Sequence, residues 1–126
     1  MQSQQAVSRI RHLAAVPEPD LPPPFGCTVH AEGEVVTVSP TGELDVGTVP
    51  LLDAAMSYHR DLGVRTLVVD LRGVSFIDSS AVHLLLRWAQ DAVGEGNELR
   101  VLPGRECVQR VFALTGVLAA LGLDDG

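Results

Sequence analysis

Thr66-Leu67-Val68-Val69-Asp70-Leu71-Arg72-Gly73-Val74-Ser75-Phe76-Ile77-Asp78-Ser79-Ser80 lies in the middle of the chain, and the fold reads outward from it. Thr66 to Leu71 is a short, nearly continuous apolar run, as expected of a strand covered on both faces. Asp78, Ser79 and Ser80 are short polar residues of the kind that accept hydrogen bonds from the unpaired N–H groups of a helix start. A helix is therefore expected from about 80 to 93. Val82, Leu85, Leu86, Ala89 and Val93 share one face of it, and His83, Arg87, Gln90 and Gly94 the other.

Upstream, Leu51, Ala55, Tyr58 and Leu62 recur at helical spacing, flanked by Leu52 and Met56. They predict a helix over about 49–62, entered at Thr48, tolerant of Pro50 in its first turn and ended by Gly63. Before it, Cys27–Ala31 and Glu34–Val38 read as two strands joined by a hairpin at Glu32-Gly33, with a turn expected over Pro40–Asp45. Downstream, Glu98–Leu102 reads as a strand ended by Pro103-Gly104. Val108, Val111, Phe112 and Thr115 then mark a helix over about 105–115, stopped by Gly116. The order β-β-α-β-α-β-α predicts a single α/β domain with a mixed sheet of four to five strands. Right-handed crossovers would put the helices mainly on one side.

The domain is expected over residues 26–126. Five of the eight prolines fall in Pro17-Glu18-Pro19-Asp20-Leu21-Pro22-Pro23-Pro24, which marks residues 1–25 as a flexible, proline-rich tail. Its front part could form a short helix around Ala6 to Val16. A proline-ligand role for Pro22-Pro23-Pro24 is the lesser alternative to the plain linker reading.

The chain has 126 residues, 46% apolar, with a formal charge of −7. That balance argues against a nucleic-acid binder or a protein lying on anionic lipid, both of which need a basic face. No apolar run approaches the ~18 residues of a membrane span, and the first residues hold no signal-peptide core, so a cytoplasmic protein is expected. Cys27 and Cys107 fit no zinc or redox spacing and are expected to be reduced, buried and small. All nine basic residues are arginines; without a lysine, a Walker phosphate loop is ruled out. No metal site is expected from the scattered histidines, and no cofactor is called for.

Two readings of Asp78-Ser79-Ser80 follow from the residues alone. The plain one is a helix entrance, which accounts for the aspartate and one serine. The other is a nucleophile, since Ser79 and His83 are four apart on one helix with Asp78 adjacent. It lacks a G-x-S-x-G elbow, and an i, i+4 pair seldom aligns a base with a hydroxyl.

Thr41-Gly42-Glu43-Leu44-Asp45, followed by Val69-Asp70-Leu71-Arg72-Gly73-Val74-Ser75-Phe76-Ile77-Asp78-Ser79-Ser80 and by the helix Arg105–Gly116, resembles a STAS domain. More narrowly, the pattern is similar to the bacterial anti-sigma factor antagonists. The resemblance implies a binding protein and no enzyme. Its partner is an anti-sigma factor that is also a serine kinase, and a serine phosphatase reverses the modification. The unphosphorylated form binds the kinase and frees the sigma factor.

Carried onto this chain, the resemblance makes Ser79 the phosphoacceptor and Asp45, Asp78, Ser80 and His83 partner-facing. One departure stands out: the family's Gly-Leu-Gly after the serine pair is Ala81-Val82-His83 here. The resemblance also admits a STAS subunit of a stressosome or of a lipid-transport ABC assembly. No loop specifies nucleotide, and oligomeric state is not encoded in any motif.

Overall fold

The computed structural model describes residues 24–122. The tail expected over 1–25 therefore lies outside the described residues up to position 23, with its helix at Ala6–Val16, and so do the last four residues of the 26–126 unit. The elements run β1 (Gly26–Glu32), β2 (Val35–Leu44), α1 (Val49–Asp61), β3 (Thr66–Asp70), β4 (Val74–Ile77), α2 (Ser79–Glu95), β5 (Glu98–Leu102) and α3 (Glu106–Thr115).

The sheet has five strands in the order β1-β2-β3-β5, with β4 paired to β2. β1 and β2 form the expected antiparallel hairpin, with Gly33 in a left-handed conformation at φ 65° between them. The other pairings are parallel.

Two expectations are corrected here. The turn over Pro40–Asp45 is instead the second half of a ten-residue strand. Val38 is the last residue of β2 paired with β3, and Gly42 the first paired with β4. Pro40 lies between them, where that side of β2 makes no ladder, so a residue without an N–H is accommodated. The second is β4, a segment between the central strand and the second helix to which the sequence reading gave no element. The chain turns at Leu71–Val74, through the Val74 N–H donating to the Leu71 carbonyl at 3.0 Å, and returns to β2 beyond the end of β3.

This handover needs close backbone approach. The Gly42 N–H donates to the Gly73 carbonyl at 3.2 Å, and a Cβ on Gly73 would stand 2.9 Å from the Thr41 methyl. Glycine is the residue that fits there.

The core lies between the sheet and the helices. Val36, Val38, Leu67, Val69 and Val101 of the strands pack with Leu52 and Met56 of α1, Val82 and Leu85 of α2, and Val108 and Phe112 of α3. The other sheet face carries Thr37, Ser39 and the exposed Glu98–Arg100 ion pair at 2.9 Å.

The stripe expected to bury α1 is rotated. Leu52 and Met56 are its buried residues, while Leu51, Tyr58 and Leu62 face solvent. Val93 of α2 is also exposed. Cys107 is exposed, its thiol 3.7 Å from the Ser75 carbonyl, and Cys27 is only half-buried, with burial pushing its thiol pKa up. No helix among the described residues is long and apolar enough to cross a membrane.

Candidate functional site

The carboxyl ends of β2 and β4 lie side by side, Glu43 against Phe76 and Leu44 against Ile77, and each strand leads directly into a helix. The two entrances, Asp45–Thr48 into α1 and Asp78–Ser80 into α2, are therefore neighbours. Two hydrogen bonds join them: the Asp78 N–H donates to the Leu44 carbonyl at 3.3 Å, and the Val46 N–H donates to Asp78 Oδ2 at 3.2 Å.

Asp78 is the N-cap of α2, in an extended conformation. Its Oδ1 accepts from the Ser80 N–H at 2.9 Å, the Ala81 N–H at 3.4 Å and the Ser80 hydroxyl. The Ser80 hydroxyl is the largest influence holding the Asp78 carboxyl below its ordinary pKa, and the backbone N–H groups of Ala81, Ser80 and Val46 add to it. Donors that favour the charged form lower a carboxyl pKa. The side chain is thus a fixed anion bridging two loops.

Ser79 is the first residue of α2 and is exposed. Its hydroxyl makes no hydrogen bond among the described residues. Ser80, half-buried, gives its hydroxyl to Asp78. Sequence reasoning attributed capping to the aspartate and one serine, and that serine is Ser80.

Asp45 turns inward on its own loop. Its Oδ1 accepts from the Gly47 N–H at 3.0 Å, the Thr48 N–H at 3.1 Å and the Thr48 hydroxyl at 3.2 Å. Thr48 stands at the N-cap of α1 but makes no side-chain bond to the helix. Its hydroxyl bridges strand and loop instead, reaching the Glu43 carbonyl at 2.8 Å and accepting from the Asp45 N–H at 2.9 Å. Of the five residues singled out from sequence, Asp45, Asp78 and Ser80 are thus built into the two loops. Ser79 and His83 are exposed one helical turn apart, with no hydrogen bond between them. That arrangement does not assemble a nucleophile with its base.

Two exposed apolar side chains at this edge were not anticipated. Val46 is 75% exposed and Phe76 48% exposed, beside the Asp78 bridge. Phe76 was visible in the sequence but its exposure was not, because no strand had been assigned to its segment. Among the described residues no group of three or more His, Cys, Asp or Glu could hold a metal ion.

A family model described as "Mlab, STAS domain" matches residues 27–123. The anti-sigma-B factor antagonist of Staphylococcus aureus is 32% identical over 85 residues, which span 68% of this chain and 79% of that protein.

The chain belongs to the STAS-domain family of anti-sigma factor antagonists.

Solved structures agree with the assignment. An anti-sigma factor antagonist from Mycobacterium paratuberculosis is similar at a TM-score of 0.68 and 26% identity, covering 84% of this chain and 87% of that one. The unphosphorylated form of the antagonist SpoIIAA gives a TM-score of 0.63 at 26% identity, over 75% of this chain and 82% of its own. SpoIIAA, a Bacillus cell fate determinant, has also been solved phosphorylated, and that form gives a TM-score of 0.58 at 25% identity, over 75% and 85%. The described residues, with three helices over a five-stranded mixed sheet, thus share the STAS fold of these antagonists.

Proposed function

We propose that this antagonist works by phosphorylation-controlled partner exchange, with Ser79 as the acceptor. Unphosphorylated, it binds an anti-sigma factor that is a serine kinase, and the sigma factor is released. Phosphate on Ser79 ends the complex, and a serine phosphatase restores it. Asp78 and Ser80 hold the acceptor in place, while Asp45 shapes the adjoining loop and His83 flanks the acceptor on the face offered to the partner. The observation that carries this reading is the Ser79 hydroxyl: exposed at a helix N-terminus and without a hydrogen bond among the described residues, while the residues on either side of it make the cap. The two solved forms of SpoIIAA, with and without phosphate, support it as properties of a relative.

The energetics are adequate. Phosphate adds about −1.5 to −2 charge. At the start of α2 the helix dipole favours it by about 0.3–1 kcal/mol, so the fold is retained. A partner carboxylate ~6 Å away, at an effective dielectric constant of about 20, is repelled by roughly 3 kcal/mol per unit charge. That is about a hundredfold in affinity, enough to separate a micromolar complex.

The test is incubation with ATP and a candidate serine-kinase anti-sigma factor, with the phosphate mapped by mass spectrometry. Modification at Ser79, lost in Ser79→Ala, is expected; stoichiometric phosphate elsewhere overturns the assignment. A second reading, a STAS subunit of a stressosome or a lipid-transport ABC assembly, draws on Ala81-Val82-His83 where the antagonists commonly carry Gly-Leu-Gly. It predicts stable binding with no phosphate transfer in the same assay.

A further inference from the structure

A phosphate at the start of a helix ordinarily takes the backbone N–H groups of the first turn. In α2 those groups are already engaged. Asp78 Oδ1 accepts from the Ser80 N–H at 2.9 Å and the Ala81 N–H at 3.4 Å, and the Ser80 hydroxyl is turned to the same oxygen. The Val82 N–H donates to the Asp78 carbonyl at 3.4 Å. The competing acceptor is itself an anion, tied across to the Val46 N–H at 3.2 Å. A phosphate carried by Ser79 therefore has to find its donors elsewhere.

Side chains four apart on a helix stand about 40° apart around the axis and about 6 Å along it, so Ser79, His83 and Arg87 form one ladder. All three are exposed. Arg87 is two turns from Ser79 and donates from Nη2 to Asp53 of α1 at 3.3 Å. The two entrances, residues 43–48 and 74–80, contain acids and no base. Arg72 is held by both oxygens of Asp70, at 2.9 and 2.8 Å. Among the described residues of the entrances and of the first turns of α2, His83 is the side chain that can bring a positive charge within one turn of Ser79.

We infer that His83 receives the phosphate carried by Ser79, an inference that rests on Ser79 being the acceptor proposed above. The imidazolium donates to a phosphoryl oxygen and holds the group along the outer face of α2, clear of the Asp78 cap. Imidazolium offers two N–H donors and a charge, whereas neutral imidazole keeps one donor and no charge, so the pairing weakens as pH rises. The other charged groups around the pair come from every neighbouring element. Asp45 and Asp78 lie in the entrances, and Asp53 lies on α1. α3 packs against α2 and β4 and carries Arg105 at its N-cap, then Glu106 and Arg110. β5 also packs against α2, but its Glu98 and Arg100 pair with each other at 2.9 Å on the far face of the sheet.

The test uses the full chain with phosphoserine placed at position 79 by encoded incorporation, titrated by phosphorus-31 NMR at low ionic strength. A neighbouring cation favours the dianion. The second ionisation of the phosphate, ordinarily about 6, should therefore come about 0.5 pH unit lower in the wild type than in His83→Gln. His83→Arg carries its charge throughout the titration and should retain the lowering, and 1 M salt should shrink it in both proteins.

Equal values in the wild type and His83→Gln overturn the inference. If both are ordinary, the phosphate stands free in solvent; if both are lowered, an arginine of α2 or α3 holds it. A lowering lost in His83→Arg as well as in His83→Gln also overturns it, since charge would then not be the cause. Because the phosphate is placed without a kinase, failure here overturns the His83 pairing alone, whereas failure of the kinase assay above overturns the acceptor assignment alone.

Discussion

The two helix entrances at the carboxyl end of the sheet use the same kinds of residue to opposite effect. Each begins with an aspartate at the end of a strand and carries hydroxyl residues within three positions. At α1, Asp45 and Thr48 bind one another and the Glu43 carbonyl, leaving the loop closed on itself. At α2, Asp78 gathers the helix N–H groups and the Ser80 hydroxyl, and the Ser79 hydroxyl, one position earlier, has no hydrogen-bond partner among the described residues. A hydroxyl at a helix start is therefore structural or available according to whether a neighbour has already met the local demand. Asp78 and Ser80 meet it at α2, and an acceptor can then be modified without unmaking the cap.

This contrast yields graded predictions. The largest concerns charge: under the proposed switch, Ser79→Asp should weaken binding to a serine-kinase anti-sigma factor by up to about a hundredfold, measured by calorimetry, as a charge there would when set ~6 Å from a partner carboxylate. Equal affinity for variant and wild type would remove Ser79 from the interface.

Next is Asp78→Ala, which strips an acceptor from the Ser80, Ala81 and Val46 N–H groups. A cost of about 1–2 kcal/mol is expected, or a fall of roughly 5–10 °C in Tm by calorimetry. Thr48→Ala should cost about 1 kcal/mol in denaturant unfolding while leaving phosphorylation of Ser79 intact.

A pH experiment tests the part Asp78 plays in the cap. The Asp78 carboxyl lies below its ordinary value in the folded chain. Its contribution to stability is then present in full above the unfolded value of about 3.9 and is lost as pH falls through the lowered folded value. Ser80→Ala should raise the Asp78 pKa toward the ordinary range in a carbon-13 NMR titration. The smallest effect belongs to Ser79→Ala. It should abolish phosphate incorporation yet change stability by no more than about 0.5 kcal/mol, since no hydrogen bond among the described residues is lost.

Much of the fold was legible because the punctuation is strong. Gly33, Gly63, Gly96 and Gly116 all sit at positive φ at the ends of elements, and all but Gly96 were read as a turn or stop. The misreadings have physical causes. α1 carries two apolar stripes, and the one with more members, through Leu51, Tyr58 and Leu62, is the solvent-facing one. Leu52 and Met56 win the core because their flank faces the sheet, which periodicity alone does not reveal. Pro40 was read as a break because its missing N–H matters inside a continuous ladder, and the exchange of β3 for β4 that accommodates it is a long-range event.

In the site, Asp78 and one of the two serines were legible as a local cap, but which serine it is shows only in the bond from Ser80 to Asp78. The Val46–Asp78 link was not, because it joins residues 32 positions apart. Nor was the inward turn of Asp45, which distinguishes a loop-shaping carboxylate from one held out to a partner.

The exchange of partners along β2 has a consequence for how such a protein can diversify. The distance between the two entrances is set by backbone, through the Gly42–Gly73 contact and the short pairing of Gly42–Leu44 with β4. The side chains that a partner would meet at this edge, Val46, Phe76 and His83, take no part in that contact. Paralogous copies could therefore acquire different partners by substitution at those three positions while Ser79, the proposed acceptor, stays at the same coordinates. Insulating one signalling pair from another would then require changes in complementarity alone, with no redesign of the scaffold.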